Sequence, residues 1–465
     1  MSSATPRSLA IIGGGFSGTL VAVHLLRRAP AGTRIVLIER RLSVGRGVAY
    51  GTECEQHLLN VPAARMSALP DEPEHFLAWA RARAGQPGFP GRVEPSDFLP
   101  RPLYGDYVAS VLADARQQAA GGVEFEIFTG TAVDLEDKND GGRFTLSDGR
   151  TIDADRVVLA LGNLPGEYPI RRPLPFYHGP RYAHIPWQPD ALNGIGENDD
   201  VLLVGAGLTA IDVIVQLDRR GHRGIVHALS RRGLLPLVHR PGLAPYPAFL
   251  ADEPLPATVL ALLRRLRAEV GSAAEKGIDW RAVLDAIRPQ TPALWQGFSD
   301  AERARFMRHA RPYWEVHRHR IAPPVAATVE RLAGEGRVKF HAGRLQSLRE
   351  VEGGAAAIFR RRGTEDIVAL RVAKVINCTG PRTDYSKYQH PLLINLLARG
   401  LIDHDPLALG LNALPDGSVL AYRAGPVGWL HTLGAPLKGV LWECTAVPEI
   451  RAEAAALAER LLAGV

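Results

Sequence analysis

One succession of elements constrains this chain more than any other: a strand, a glycine loop and a helix with nothing between them. Residues 8–12 (SLAII) form an apolar run of strand length, Gly13-Gly14-Gly15-Phe16-Ser17-Gly18 follows, and 19–28 (TLVAVHLLRR) carries apolar side chains at helical spacing. A second apolar run, 34–38 (RIVLI), ends at Glu39. That order is one βαβ unit. Within it Gly13 permits the tight turn out of the strand, Gly15 lets the backbone approach a pyrophosphate, and Gly18 lets the helix pack against the sheet. A helix N-terminus offers free N–H groups and a positive dipole end to phosphate. Gly13, Gly15, Phe16, Ser17 and Gly18 are therefore the expected phosphate-contacting residues. A carboxylate at Glu39 would accept hydrogen bonds from ribose hydroxyls and repel a 2′-phosphate.

The plan recurs. Residues 201–217 (VLLVGAGLTAIDVIVQL) form a second strand–loop–helix, with Gly205, Gly207, Leu208 and Thr209 in the loop and Ala210 in the packing position. The next strand, expected at 224–229, ends in Ser230-Arg231-Arg232 instead of an acid. A hydroxyl and guanidinium groups suit a 2′-phosphate through charge-assisted bonds. One loop closed by an acid and one by arginines indicate two different dinucleotides. FAD, with its unphosphorylated ribose, fits the first and NADPH the second, a pair that can exchange a hydride. Each half continues through short strands (123–129, 131–136, 143–147 and 151–153 in the first) into a buried strand closed by Gly162 (ALGN) or Gly380 (NCTG). An internal repeat on this scale strengthens both loops. The fold class that follows is α/β: two Rossmann-like dinucleotide-binding domains with β-meanders and a helical insertion. The expected divisions are 1–165 for the first part of the FAD domain, 195–373 for the NADPH domain with the insertion at 252–333, and 374–465 for the C-terminal part of the FAD domain.

Composition excludes several classes. The net charge is +6, but the basic residues are scattered rather than massed, so nucleic acid is not an expected partner. Cys54, Cys378 and Cys444 form no CxxC pair and are odd in number. A disulfide framework, a zinc site and a dithiol redox centre are not expected, and the compartment is expected to be the reducing cytoplasm. No run of about 18 apolar residues exists, so no membrane helix is expected. His317-Arg318-His319 within the basic segment 308–320 invites a metal, but no ligand set completes it, so no metal is expected. His317 and Arg320 stand there as candidates for binding substrate or covering NADPH.

The chain resembles the two-dinucleotide-binding-domain flavoproteins, which include the flavin-containing, Baeyer–Villiger and N-hydroxylating monooxygenases. More closely it resembles a bacterial FAD/NAD(P)-binding protein family. The likeness rests on Gly47-Val-Ala-Tyr-Gly-Thr52, His57-Leu-Leu-Asn-Val-Pro62, Met66-Ser-Ala-Leu-Pro70, Phe76-Leu-Ala-Trp79, Pro100-Arg-Pro-Leu-Tyr-Gly-Asp-Tyr107 and Trp442-Glu-Cys-Thr-Ala-Val-Pro-Glu-Ile-Arg451. It implies that Asn60 lies along the FAD and that Arg101 and Tyr104 sit near both cofactors. It also implies that Gly434 lies near the FAD, where relatives carry Gly-Asp and this chain has Gly434-Ala-Pro436. Glu443 and Thr445 would begin a last helix, 445–463, aimed at the flavin. Asn60, Arg101 and Thr445 are the candidate catalytic residues. The monooxygenase fingerprint between the domains is not matched, since Phe176…His184…Trp187 has the wrong spacing throughout.

The activity so implied is an FAD- and NADPH-dependent monooxygenase of a small metabolite. It would use O₂ to form a flavin C4a-hydroperoxide that oxygenates a nitrogen, a sulfur or a carbonyl carbon. The same loops would equally serve an NADPH-dependent flavin reductase, oxidase or dehydrogenase that never inserts oxygen. A flavin-bound redox sensor without turnover is a third reading, opposed by the complete second loop. A homodimer is expected by analogy alone.

Overall fold

The computed structural model describes residues 8–251 and 253–463. Two sheets, each parallel at its centre with antiparallel strands at one edge, correspond to the two repeats. The first runs 418–420, 426–432, 156–159, 8–12, 34–39, 124–129. Ser8–Ile12 sits in its middle, with Ile12 opposite both Ile38 and Leu159. Four of its five residues are buried, as a strand covered on both faces requires. The helix Phe16–Arg28 covers one face together with the last helix, Val447–Ala463, so Leu20, Leu25, Ala454 and Leu457 share one core. The other face holds a three-stranded antiparallel meander, 132–137, 142–146 and 151–154, whose Leu135 and Phe144 pack with Leu159 and Leu430. The second sheet runs 367–372, 354–361, 338–351, 226–230, 201–204, 374–377, 182–183.

The structure moves several expected boundaries. Lys374–Asn377 is not the start of the C-terminal FAD segment. It pairs in parallel with Val201–Val204, so the second sheet keeps this strand and the chain returns to the first domain only after it. Tyr182–Ala183 adds an edge strand on its far side, so the second domain begins before residue 195. Glu124–Thr129 joins the first parallel sheet beside Arg34–Glu39 rather than the meander. The insertion also ends before residue 333. The helix Pro323–Gly334 packs its Ala326, Val329 and Leu332 with Ile211 and Val215 of the second domain. A parallel step from Val226–Ser230 to Val338–Val351 needs a crossover on the sheet face, and this helix supplies it.

The true insertion has its own core of Leu262, Ile287, Leu294, Trp295, Phe298 and Phe306. That core is completed by Leu409 and Trp442 of the C-terminal segment. The insertion leaves the NADPH domain in sequence yet packs on the FAD domain, which brings its polar residues to the C-terminal loop.

Candidate active site

The first glycine loop is built for close approach. Gly13 has φ +107°, and a Cβ there would lie 2.3 Å from the Ala160 carbonyl oxygen; a Cβ at Gly18 would lie 1.9 Å from the Gly13 carbonyl oxygen. Neither contact can yield, since both partners are backbone. Gly15 is the N-cap of the following helix and offers no side chain to block its N–H groups. Glu39 places one carboxylate oxygen 2.8 Å from the Gly14 N–H and the other 3.0 Å from the Arg41 N–H. Each oxygen keeps a second lone pair for a ribose hydroxyl. Ser17 lies at the loop surface, but the Phe16 side chain does not. It is buried against Tyr50 and Tyr104, with ring centroids 5.7 and 5.8 Å away, so only its backbone can serve a ligand. Gly162 stands beyond the adjacent strand at φ +62°, its carbonyl accepting the Tyr385 hydroxyl at 2.8 Å. These residues fit an FAD.

The second loop repeats the geometry. A Cβ at Gly205 would meet the Cys378 carbonyl oxygen at 2.0 Å, whereas one at Gly207 would meet no protein atom within 4 Å. Gly207 therefore keeps space for something outside the protein, and Leu208 and Thr209 open the helix that follows it. Gly380 stands at φ +86° just past Asn377, in the place Gly162 takes in the first half. At the strand end, Ser230 accepts the Gly233 N–H at 3.0 Å and Arg231 enters a cleft of about 290 Å³. Arg344, Arg360, Arg361 and Arg362 line the same cleft, with Glu365 as its acid. Arg232 is not among them: its guanidinium donates to the Arg308 carbonyl. Of the two strand-end arginines, Arg231 lines this cleft and Arg232 turns towards the insertion. The run Arg360-Arg361-Arg362, at a hairpin tip 130 residues on from Arg232, carries most of the charge. Its three consecutive arginines were the signal available in the sequence.

The two loops are tied together. Arg101 opens the helix Arg101–Gln118 and grips Asp212 of the second loop's helix with two bonds of 2.7 and 3.1 Å. Its Nε donates to the Leu58 carbonyl at 2.9 Å, and the His57 Nε2 bonds the Asp212 carbonyl at 3.0 Å. The side chains are 11% and 9% exposed. Arg101 is therefore committed to a buried ion pair between the two domains. Tyr104 is likewise fully buried. Asn60 lies in the half-buried loop beside this pair.

The C-terminal segment closes over the first loop. Gly434 (φ +70°) sits against Ser17, whose Oγ lies 3.0 Å from where a Cβ would be. Its N–H donates to the Glu453 carboxylate at 3.1 Å. Burial pushes Glu453 up to about 8, against the Gly434 N–H and with Glu449 adding to the rise. The last helix starts at Val447, not 445, so Thr445 lies outside its first turn and is not its cap. The chain is turned by Trp442 at φ +60°, rare for a bulky residue, held by stacking on Trp295 at 4.8 Å. Glu443 is buried facing the insertion, where it accepts the Trp314 Nε1–H at 3.0 Å and pairs with Arg318 at 3.4 Å. Burial opposes its ionisation, but Arg318, His319 and Trp314 together hold its carboxyl below the usual range. It is thus a bridge to the insertion, not the start of a helix.

Within the insertion, Arg320 is 2% exposed and paired with Asp285 at 2.8 Å, and His317 bonds the Tyr313 carbonyl at 2.7 Å. Both side chains thus make bonds within the insertion. His319 is exposed at the C-terminal end of the helix 311–318. Among the described residues no group of three His, Cys, Asp or Glu could hold a metal ion.

Comparison with known proteins agrees with this geometry. Residues 10–164 match the family model described as FAD-NAD(P)-binding. An ornithine N-hydroxylase of Kutzneria sp. 744 superposes with a TM-score of 0.64 at 15% identity, over 98% of this chain and 99% of that one. An L-lysine 6-monooxygenase of Pseudomonas syringae gives 0.64 at 16% identity, again over 98% and 99%. At such identities the likeness establishes the fold: that of a flavoprotein with two dinucleotide-binding domains. In sequence, the nitrosuccinic acid synthase of Aspergillus oryzae is 41% identical over 73 residues, which is 15% of this chain and 11% of that protein.

Proposed function

We propose that this chain is an FAD-dependent, NADPH-consuming monooxygenase that oxygenates the amino nitrogen of a small metabolite. The observation that carries it is the pairing of two unlike loops across one buried staple: Gly13–Gly18 with Glu39, and Gly205–Thr209 with the arginine cleft. The full-length likeness to an ornithine N-hydroxylase and a lysine monooxygenase supports nitrogen over the sulfur and carbonyl carbon that the loops alone leave open. When bound, FAD supplies passage of two electrons from NADPH to O₂. The overall reaction is amine, NADPH, H⁺ and O₂ giving hydroxylamine, NADP⁺ and water.

The chain's own residues bind and orient. Free N–H groups after Gly15 and Gly207 take pyrophosphates. Glu39 takes the FAD ribose, and Arg231 with Arg344 and Arg360–Arg362 takes the 2′-phosphate of NADPH, with Ser230 beside it. The Arg101–Asp212 pair fixes the two helices so that the nicotinamide meets the flavin in one geometry, and Gly162, Gly380 and Gly434 leave room for the cofactors. Trp314, Trp442 and the insertion keep water from the reacting centre. Asn60 and Thr445 are proposed as contacts to the cofactor rather than proton carriers.

The purified holoenzyme, given NADPH, ¹⁸O₂ and a panel of amines, should place one ¹⁸O in an N-oxygenated product. Hydrogen peroxide with every amine would instead assign a reductase or oxidase. The same reading places the chain in the cytoplasm as a homodimer. Its three cysteines are free thiols, which persist in a reducing compartment, and among the described residues no helix is long and apolar enough to cross a membrane. Sedimentation tests the dimer.

A further inference from the structure

Where the insertion meets the C-terminal loop, charges are packed densely and all but one are matched. Arg288 pairs with Glu449, Arg311 with Glu315 at 2.8 Å, and Arg318 with Glu443 at 3.4 Å. Lys438 makes the fourth cation. Among the described residues it has no carboxylate within 4 Å and no hydrogen-bond acceptor; its ammonium lies 4.8 Å over the Trp442 ring. Glu315 and Glu443, the carboxylates that influence it, are each taken by an arginine.

A half-buried ammonium with no carboxylate partner is free to take an incoming anion through a charge-assisted bond. The cation–π contact holds the head in place but does not neutralise it. Lys438 lies on the segment that closes over the first glycine loop. It follows Gly434, which touches Ser17 of the first loop, by four residues, and Gly439 next to it accepts the Trp295 indole N–H at 2.8 Å. Burial and Arg311 both lower the lysine's pKa, so the surroundings resist a bare cation.

We infer that Lys438 anchors a carboxylate of the substrate, so that the amine oxygenated here belongs to an amino acid rather than a plain diamine. This rests on the N-oxygenation proposed above. Nitrosuccinic acid has the carbon skeleton of aspartate, which makes L-aspartate the first probe. The FAD phosphates are a second possible source of the anion, and the test separates the two.

FAD-loaded wild-type protein is titrated with the twenty protein amino acids, L-ornithine, putrescine and cadaverine, following the flavin difference spectrum. At least one amino acid should bind and the two diamines should not. Lys438→Met should weaken that binding about 10- to 100-fold, the range of one charge-assisted hydrogen bond. Lys438→Arg should recover part of it, and the FAD content of both variants should equal that of wild type. Binding of diamines as tight as that of the best amino acid, or no amino-acid binding at all, overturns the inference without needing a variant. Loss of FAD from soluble Lys438→Met overturns it by assigning the charge to the cofactor. Lys438-dependent amino-acid binding that yields only peroxide would leave the anchor standing and refute the N-oxygenation. Oxygenated diamines would do the reverse.

Discussion

Asp212→Ala is the perturbation that best tests how the two dinucleotide units are held. It leaves Arg101 with one remaining bond, to the Leu58 carbonyl, in a place where the two side chains are only 11% and 9% exposed. Removing one partner of a buried pair costs about 3–5 kcal/mol, because the stranded charge keeps its desolvation penalty. The surviving His57–Asp212 backbone bond of 3.0 Å argues for the lower end, about 3 kcal/mol. Replacing both residues by leucine should restore most of the loss, since no charge is then stranded. Stability is read by urea denaturation followed by tryptophan fluorescence. Hydride transfer gives an independent readout: anaerobic stopped-flow reduction by NADPH should slow in both variants, by up to about 100-fold if the nicotinamide shifts by an ångström. Loss of less than about 1 kcal/mol in the single variant, or a double leucine variant no more stable than the single one, would refute the reasoning.

Other tests follow from the same geometry. Gly18→Ala puts a methyl 1.9 Å from the Gly13 carbonyl oxygen and should yield protein without FAD; Gly207→Ala meets no protein atom within 4 Å and should keep FAD while losing NADPH affinity. The flavin-to-protein absorbance ratio and an NADPH titration separate the two. Arg231→Ala with Arg361→Ala should raise the KM for NADPH by about 10- to 100-fold and leave that for NADH within twofold, as loss of bonds to the 2′-phosphate requires. For Glu453, whose folded pKa of about 8 exceeds the ordinary 4.5, the folded state holds the proton longer. Its contribution is full below about 4.5 and is lost as pH rises through about 8. Glu453→Gln should therefore flatten the fall in Tm over that window.

What was legible in the sequence is what short-range chemistry encodes. Gly13, Gly18 and Gly205 announce themselves because a Cβ would strike backbone within the same βαβ unit or its neighbouring strand, so spacing alone carries the constraint. Glu39 and Arg231 came into view through spacing as well, each standing at or just past the end of the strand after its loop. The boundaries that moved depended on pairings the sequence does not advertise. Lys374–Asn377 is an apolar strand that suits either sheet, and only its register with Val201–Val204 decides between them. Pro323–Gly334 has the amphipathic pattern of any insertion helix until the parallel crossover demands one there.

The site residues divide on the same line. Arg101 was found through its local motif, but its partner Asp212 lies 111 residues away and belongs to no motif shared with it. Lys438 carries no motif at all. Its standing comes from a comparison of cations with carboxylates that exists only once helix 311–318 has been folded onto the C-terminal loop. The insertion interrupts the NADPH domain in sequence but shares its core with Leu409 and Trp442, and that packing, not periodicity, brings Arg318 to Glu443. A substrate site made from an insertion and a distant loop can change its charge pattern without disturbing either glycine loop. That is why the cofactors of this chain can be read from a few dozen residues while its substrate has to be read from the assembled fold.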